Sequence, residues 1–302
     1  MISLILLSWN RKKEILRTLA DLQRQTYKNF ETVVVDQGST DGTLEAMTSY
    51  PVRIIRLHQN FGVPGGRNVG AVNAMGDILV FLDNDASLSD DALERVVALF
   101  KDKSIGIVGF QILIESTKML DISSWVYQKS KLKDSDKAFY SYTYCGCGHA
   151  IRKRLFDTVG YYWDELFFSW EESEYSIKVL DGGYSILYSP DIKVYHRISP
   201  ENRIFKPEGE CLRLKNSLWV LWKYFPISYA IRHSFVRTGV YLIKGFRQKC
   251  FFLMLWYLLK SLSKIGLIFN KEHKISKETF IKYLKLSDKG PVLSQLKHLF
   301  AK

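Results

Sequence analysis

Residues 79–85 read Leu-Val-Phe-Leu-Asp-Asn-Asp, four apolar residues broken by two carboxylates one residue apart. A short apolar run bounded by polar residues reads as a buried strand, which places Asp83 and Asp85 at its carboxyl end. In an open α/β sheet that edge is where ligands bind. Two carboxylates so close repel each other and are costly to desolvate unless a cation neutralises them. Oxygen ligands of this kind suit Mg2+ or Mn2+, which keep some waters and take substrate phosphates as further ligands. Taken alone, the seven residues also fit a strand followed by an acidic turn.

The sequence before this run alternates between two periodicities. Ile2–Ser8 is a short apolar strand, and Lys12–Gln25 carries Ile15, Leu16, Leu19 and Leu22 at helical spacing. Phe30–Val35 is a second strand and ends at Asp36. Ser39-Thr-Asp-Gly42 reads as a turn opening another helix, with Ser39 or Thr40 as its cap. Val52–Leu57 is a third strand. Gly62–Gly66 reads as a Gly/Pro loop leading into a helix over Arg67–Met75, and Ile78–Leu82 is the fourth strand. Strands alternating with helices imply a largely parallel sheet with right-handed crossovers.

The first two strands end in Ser8-Trp-Asn10 and Asp36-Gln37, which would line the same edge as Asp83 and Asp85. That set suits a nucleotide diphosphate. Asp36 or Gln37 could bond a base or ribose, and Gln37 offers both a donor and an acceptor. Arg67 could meet a phosphate beside free N–H groups of a helix start. A surface charge and a turn residue are the plainer readings of Arg67 and Asp36. There is no Gly-x-Gly-x-x-Gly after the first strand and no P-loop, which disfavours the common dinucleotide and nucleotide-triphosphate sites.

Charge divides the chain. The net charge of +12 over 302 residues is concentrated after residue 202, where 20 Lys+Arg face 5 Asp+Glu. Residues 1–202 therefore read as a nearly neutral domain and 203–302 as a basic, aromatic-rich helical region. The four cysteines are too few and scattered for a disulfide scaffold, and Cys145-Gly-Cys147 lacks a second pair to complete a zinc site. They read as reduced thiols of a cytoplasmic protein. Ile2–Leu7 is too short for the apolar part of a secretory signal, and Arg11, Lys12 and Lys13 follow it rather than precede it.

Residues 2–43, Asn60-Phe-Gly-Val-Pro-Gly-Gly-Arg-Asn68, Gly76-Asp77 and Asp83-Asn-Asp85 resemble the opening of family 2 glycosyltransferases of the GT-A fold. So do Cys147-Gly-His-Ala-Ile-Arg-Lys-Arg154, Phe167-Phe-Ser-Trp-Glu-Glu-Ser-Glu174 and Val194-Tyr-His196, in the family's order over about residues 1–200. The resemblance implies a GT-A-type, Rossmann-like sheet flanked by helices. It also implies an inverting transferase that moves a sugar from a nucleotide-diphosphate donor, UDP- or dTDP-linked, to a glycan or lipid-linked acceptor in cell-surface polysaccharide synthesis. On that resemblance Ser8, Asn10, Asp36 and Gln37 hold the nucleoside and Arg67 lies near the diphosphate. Asp83 contacts both nucleotide and metal, Asp85 is the direct ligand of Mn2+ or Mg2+, and His196 is a further ligand. Glu172 falls at the position of the base.

Inversion needs one carboxylate to take the acceptor's proton. Here Glu stands where Asp is common, which leaves Glu171 open beside Glu172. Two structural readings compete. Ser169-x-x-Glu172 matches a capping box, and Glu174 and Lys178 are spaced as an exposed helical pair. Trp163, Phe168 and Trp170 read equally as a wall for a sugar face or as core.

In the basic region, Leu212–Phe225 and Tyr229–Phe246 read as amphipathic helices. Phe251–Leu259 is apolar but far short of the about 20 residues that span a bilayer. Basic residues beside aromatics suit an anionic membrane surface, on the inner face of the cell membrane, rather than nucleic acid. Packing on the first domain or on a second copy is the alternative. Two other classes fit less well: a nucleotidyltransferase, for which the early Gly-rich loop with Arg and a Pro-Lys pair is missing, and a basic nucleic-acid-binding protein, for which no known motif appears.

Overall fold

The structure is a computed structural model that describes residues 1–197, 206–262, 265–268 and 274–287. The expected boundary at 202/203 lies outside the described residues. Nine strands form one sheet: β1 (Ile2–Ser8), β2 (Phe30–Asp36), β3 (Arg53–Arg56), β4 (Ile78–Leu82), β5 (Ala86–Leu88), β6 (Ile105–Ile114), β7 (Phe139–Ser141), β8 (Gly148–Arg152) and β9 (Ser185–His196). Their order is β3-β2-β1-β4-β8-β6-β9-β5, with β7 paired to β9. β3, β2, β1 and β4 run parallel, as do β6 and β9. Antiparallel pairing enters with β8, β5 and β7.

Helices cover both faces. They are α1 (Lys12–Leu22), α2 (Thr43–Met47), α3 (Gly62–Asn73), α4 (Ala92–Leu99), α5 (Leu155–Thr158), α6 (Glu171–Asp181), α7 (Lys206–Tyr224), α8 (Ile227–Arg247), α9 (Phe251–Leu262), α10 (Ile265–Ile268) and α11 (Lys277–Ser287). The period-2 alternation of the strands sorts the core into two layers. Ile5, Val33, Leu79 and Phe81 face one way and pack with Tyr175, Leu180, Trp219 and Tyr224. Leu4, Leu6, Val34, Val80 and Leu82 face the other way and pack with Ile15, Leu19 and Val96.

Three local expectations change. Gly62–Gly66 is not a loop but the first turns of α3. Pro64 is tolerated there because a first-turn residue has no intrahelical N–H bond to lose. Glycine along this helix serves close packing: a Cβ on Gly70 would lie 2.5 Å from Ile5 Cγ2. Neither Ser39 nor Thr40 caps α2, which starts behind Gly42. Ser39 Oγ instead accepts from the Asn10 N–H at 2.9 Å. Nor does the Ser169–Glu172 capping box form, because no side chain caps α6.

The segment entering α6 is strained. Phe167, Ser169 and Trp170 all have left-handed backbones, at φ 60°, 69° and 75°. Such conformations persist only where the surroundings over-determine them. Asn216 of α7 does this: its buried Nδ2 donates to the carbonyls of Leu166, Phe168 and Ser169, each at 2.8 Å. About two turns further along α7, Tyr224 donates to the fully buried Glu174, which also pairs with Lys178 at 3.2 Å. Glu174 and Lys178 therefore form a largely buried pair within α6 rather than an exposed one, and Tyr224 ties its carboxylate to α7. Asn216→Ala would take the side-chain donor from the Phe168 and Ser169 carbonyls, while Leu166 keeps the Phe168 N–H, and is expected to destabilise the fold by about 2–3 kcal/mol. Urea unfolding of wild type and variant measures it.

Candidate active site

β1, β2 and β4 end together. The register pairs Ser8 with Asp36, and Leu82 lies opposite Leu6 on the other side of β1. Ser8, Asp36 and Gln37 are buried. Asp36 Oδ1 accepts from the Ser39 N–H at 3.0 Å, while its Oδ2 and the Ser8 hydroxyl have no protein partner. Gln37 Oε1 accepts from the Phe61 N–H at 3.1 Å. Asn10, itself left-handed at φ 51°, accepts from the Thr40 N–H at 2.7 Å. The edge thus presents polar atoms on a backbone that is already fixed.

The turn carrying Asp83 and Asp85 is held from three directions. Asn84 donates to the Leu7 carbonyl at 2.7 Å. Thr18 of α1 donates to the carbonyls of Asn84 and Ala86 at 2.7 and 2.9 Å. The Arg197 N–H, just past β9, donates to the Asp85 carbonyl at 2.9 Å, and its guanidinium pairs with Glu14 and Asp21 of α1. Asp83 opens to solvent; Asp85 is buried. Crowding by surrounding protein, and then the Asp85 carboxylate, raise the Asp83 pKa. A cation would remove that repulsion, so the donor set fits a metal.

His196 ends β9 beside this turn. Its Nε2 lies 3.5 Å from Asp85 Oδ1, and its Nδ1 pairs with Asp121 at 3.0 Å. Burial opposes the imidazolium, but hydrogen bonds to Asp85 and Asp121 outweigh it and raise the His196 pKa. Asp121 is lowered to about 2: burial opposes this, and hydrogen bonds from Ser123, Ser124 and His196 overcome it. Asp121 and Arg11, which pairs with Asp85 at 3.0 Å, were not anticipated from sequence. Cys147 was read there as an ordinary thiol. One ligand atom each from Asp83, Cys147 and His196 lie within 4.8 Å of one another, the sole such grouping among the described residues.

Arg67 lies in the second turn of α3, not at its start, and is 4% exposed. Its guanidinium pairs with Glu172 at 2.8 Å and donates to the Gly146 carbonyl at 3.1 Å. The Tyr162 and Phe81 rings lie beside it, 5.7 and 6.0 Å from the guanidinium carbon. Gly146 leaves room for the pair, since a Cβ there would fall 2.1 Å from Glu172 Oε1. Glu172 side-chain exposure is 18%, whereas Glu171 is 3% exposed with one carboxylate oxygen unpartnered.

Trp163 packs against Trp219 in the core and lines a groove of about 890 Å³ among α3, α6 and α7, which contains none of Asp83, Asp85 or Glu172. The half-buried Trp170 stacks under Arg237. These contacts favour core packing over a sugar wall for both tryptophans.

Burial, and then repulsion from Glu172, raise the Glu171 pKa to about 8. Its folded value then exceeds its unfolded one, so the native state binds more protons between them and stability falls as pH rises across that window. Glu171→Gln removes the titration. Its melting temperature is expected to gain on that of wild type as pH rises from about 5 to 8, which thermal unfolding at stepped pH will show.

Solved structures with this architecture include Staphylococcus aureus TarS 1–349 in complex with UDP-GlcNAc, at TM-score 0.62 and 18% identity, covering 86% of this chain and 79% of that one. GalNAc-T7 with UDP, GalNAc and Mn2+ superposes at TM-score 0.63 and 18% identity, over 89% of this chain and 58% of that one. Both likenesses establish the GT-A fold. Among sequence relatives, a Haemophilus influenzae protein described as an uncharacterized glycosyltransferase is 39% identical over 102 residues, 33% of this chain. The chain spans only about a third of that relative, 35%. Glycosyltransferase AglE of Haloferax volcanii is 24% identical over 73% of this chain and 74% of its own length. The profile described as Glycosyl transferase family 2 matches residues 3–160, just over half of the sequence; the chain belongs to glycosyl transferase family 2.

Proposed function

We propose that this chain is an inverting glycosyltransferase that moves a sugar from a nucleotide-diphosphate donor to a hydroxyl of a glycan or lipid-linked acceptor in cell-surface polysaccharide synthesis. The observation that carries the reading is the convergence on one sheet edge of Asp36, Arg67, Asp83, Asp85, Glu172 and His196, with Glu172 held on Arg67 and His196 beside Asp85. Family membership favours glycosyl over nucleotidyl transfer.

Ser8, Asn10, Asp36 and Gln37 would seat the nucleoside. Asp83, Asp85 and His196 would hold Mn2+ or Mg2+. When bound, the metal supplies charge neutralisation for the departing diphosphate. Arg67 orients Glu172 through Oε1, and the carboxylate accepts the proton of the attacking hydroxyl. TarS was solved with UDP-GlcNAc, and the mannosyltransferase PcManGT from Pyrobaculum calidifontis, of similar fold at TM-score 0.59 and 17% identity, with GDP-Man and Mn2+; GDP-sugars therefore join the UDP- and dTDP-sugars expected from sequence in the donor panel to screen. The reading expects one donor, with Mn2+, to raise the melting temperature and to release its nucleoside diphosphate when acceptor is added. No stabilisation by any nucleotide sugar would sink it.

A second observation bears on where the enzyme acts. Among the described residues no helix is long and apolar enough to cross a membrane. Yet α8 and α9 expose Phe235, Phe246 and Phe252 at 83, 78 and 82%. Arg232, Arg247 and Lys249 are exposed among them. Aromatics interleaved with cations suit the interface of an anionic bilayer. Cosedimentation with anionic vesicles is expected, with loss in high salt and a marked reduction in Phe246→Ala/Phe252→Ala. Equal binding to neutral vesicles would contradict the electrostatic part.

A further inference from the structure

We propose that Cys147 is a direct ligand of the metal held by Asp83 and His196, making a mixed carboxylate, imidazole and thiolate centre that favours a transition metal over Mg2+. The inference rests on the reading of this edge as a metal site. It adds a ligand to the Asp83, Asp85 and His196 set expected from sequence.

Backbone geometry puts the thiol there. The β4–β8 pairing sets Leu82 opposite Gly148. The Asp83 N–H then donates to the Cys147 carbonyl at 2.9 Å. The residue after the last β4 position and the one before the first β8 position are thus locked side by side. Ligand atoms of Asp83, Cys147 and His196 fall within 4.8 Å of one another. His196 is oriented for the task, since Asp121 takes its Nδ1 and Nε2 turns toward Asp85. A carboxylate behind a metal-binding imidazole fixes both its tautomer and its aim.

The competing account is core packing, because buried cysteine behaves as a small hydrophobe. Cys145, also buried and two residues away, fits that account. Cys147 differs in having its thiol grouped with the Asp83 carboxylate and the His196 imidazole. On binding, the S–H bond breaks, the proton goes to solvent and a bond forms between Sγ and the metal, with no change of oxidation state. Thiolate is a soft ligand, poorly suited to Mg2+ and well suited to Co2+ or Zn2+.

The test uses the full chain, kept reduced, titrated with Co2+ alone and with Co2+ plus UDP. Binding is followed by calorimetry and by near-ultraviolet thiolate-to-cobalt absorption. The expected result is a charge-transfer band that saturates with binding and survives in the Cys145→Ser/Cys211→Ser/Cys250→Ser protein, where Cys147 is the sole thiol. Cys147→Ser should abolish the band and weaken Co2+ binding on the order of tenfold or more, with a smaller change for Mg2+. Co2+ binding without the band, or a band that persists in Cys147→Ser, overturns the proposal and leaves the metal site standing. Failure of wild type to bind Co2+ or Mn2+ in either condition removes the metal reading, and the proposal with it. Should Cys147→Ser fold poorly by circular dichroism, the spectrum of the triple variant still decides.

Discussion

Glu172→Gln is expected to lower kcat for glycosyl transfer by about 10²–10⁴-fold, the usual contribution of a positioned general base. The substitution keeps side-chain length and an oxygen for Arg67, which donates to Glu172 at 2.8 Å, so the fold and donor affinity should change little. Loss confined to kcat identifies an interaction made in the transition state rather than in donor binding. Glu171→Gln is the necessary comparison. Glu171 is almost fully buried, whereas Glu172 keeps 18% of its side chain exposed beside Arg67 and Gly146. A base must be reachable by the acceptor hydroxyl. Steady-state kinetics of both variants on one donor and acceptor decide between them: an active Glu172→Gln with an inactive Glu171→Gln would reverse the assignment.

The parallel half of the sheet was legible because its signals are local. β1 and β4 fall where their apolar runs begin and end, and the break from Leu82 to Asp83 marks the sheet edge directly. The first turns of α3 are hidden in the sequence because glycine and proline usually punctuate loops, and only tertiary packing shows why they suit a helix pressed against Ile5. The missing residues share a different cause. Arg11 meets Asp85 across 74 positions, Asp121 meets His196 across 75, and Asn216 meets the segment before α6 across about 50. Nothing in a local window encodes such partners. Cys147 carries a weak positional signal. Strand β8 begins at the next residue, and an antiparallel neighbour for β4 would have placed the thiol beside Asp83. Alternation of strands and helices points to parallel pairing and hides this one.

Asp85→Asn should weaken metal binding at least about 100-fold, because loss of an outer-shell partner alone commonly costs about 10–100-fold. Stabilisation by Mn2+ plus donor in thermal unfolding should disappear with it. The difficulty is that Asp85 also pairs with Arg11 at 3.0 Å and His196 at 3.5 Å. Removing its charge weakens the ion pair of a largely buried guanidinium, so a stability loss without metal is expected as well. Arg11→Gln separates the two effects. If Asp85 serves only to anchor Arg11, both variants lose stability alike and both still respond to Mn2+. If Asp85 is a ligand, Arg11→Gln keeps the metal response, since removing a neighbouring cation leaves the carboxylate more available to another one. Asp83 sharpens the comparison. Its raised pKa owes part of its shift to Asp85, and Asp85→Asn relieves that repulsion. A variant that is less strained at Asp83 yet unable to bind the ion would show that the paired charge is kept for the cation rather than for the fold.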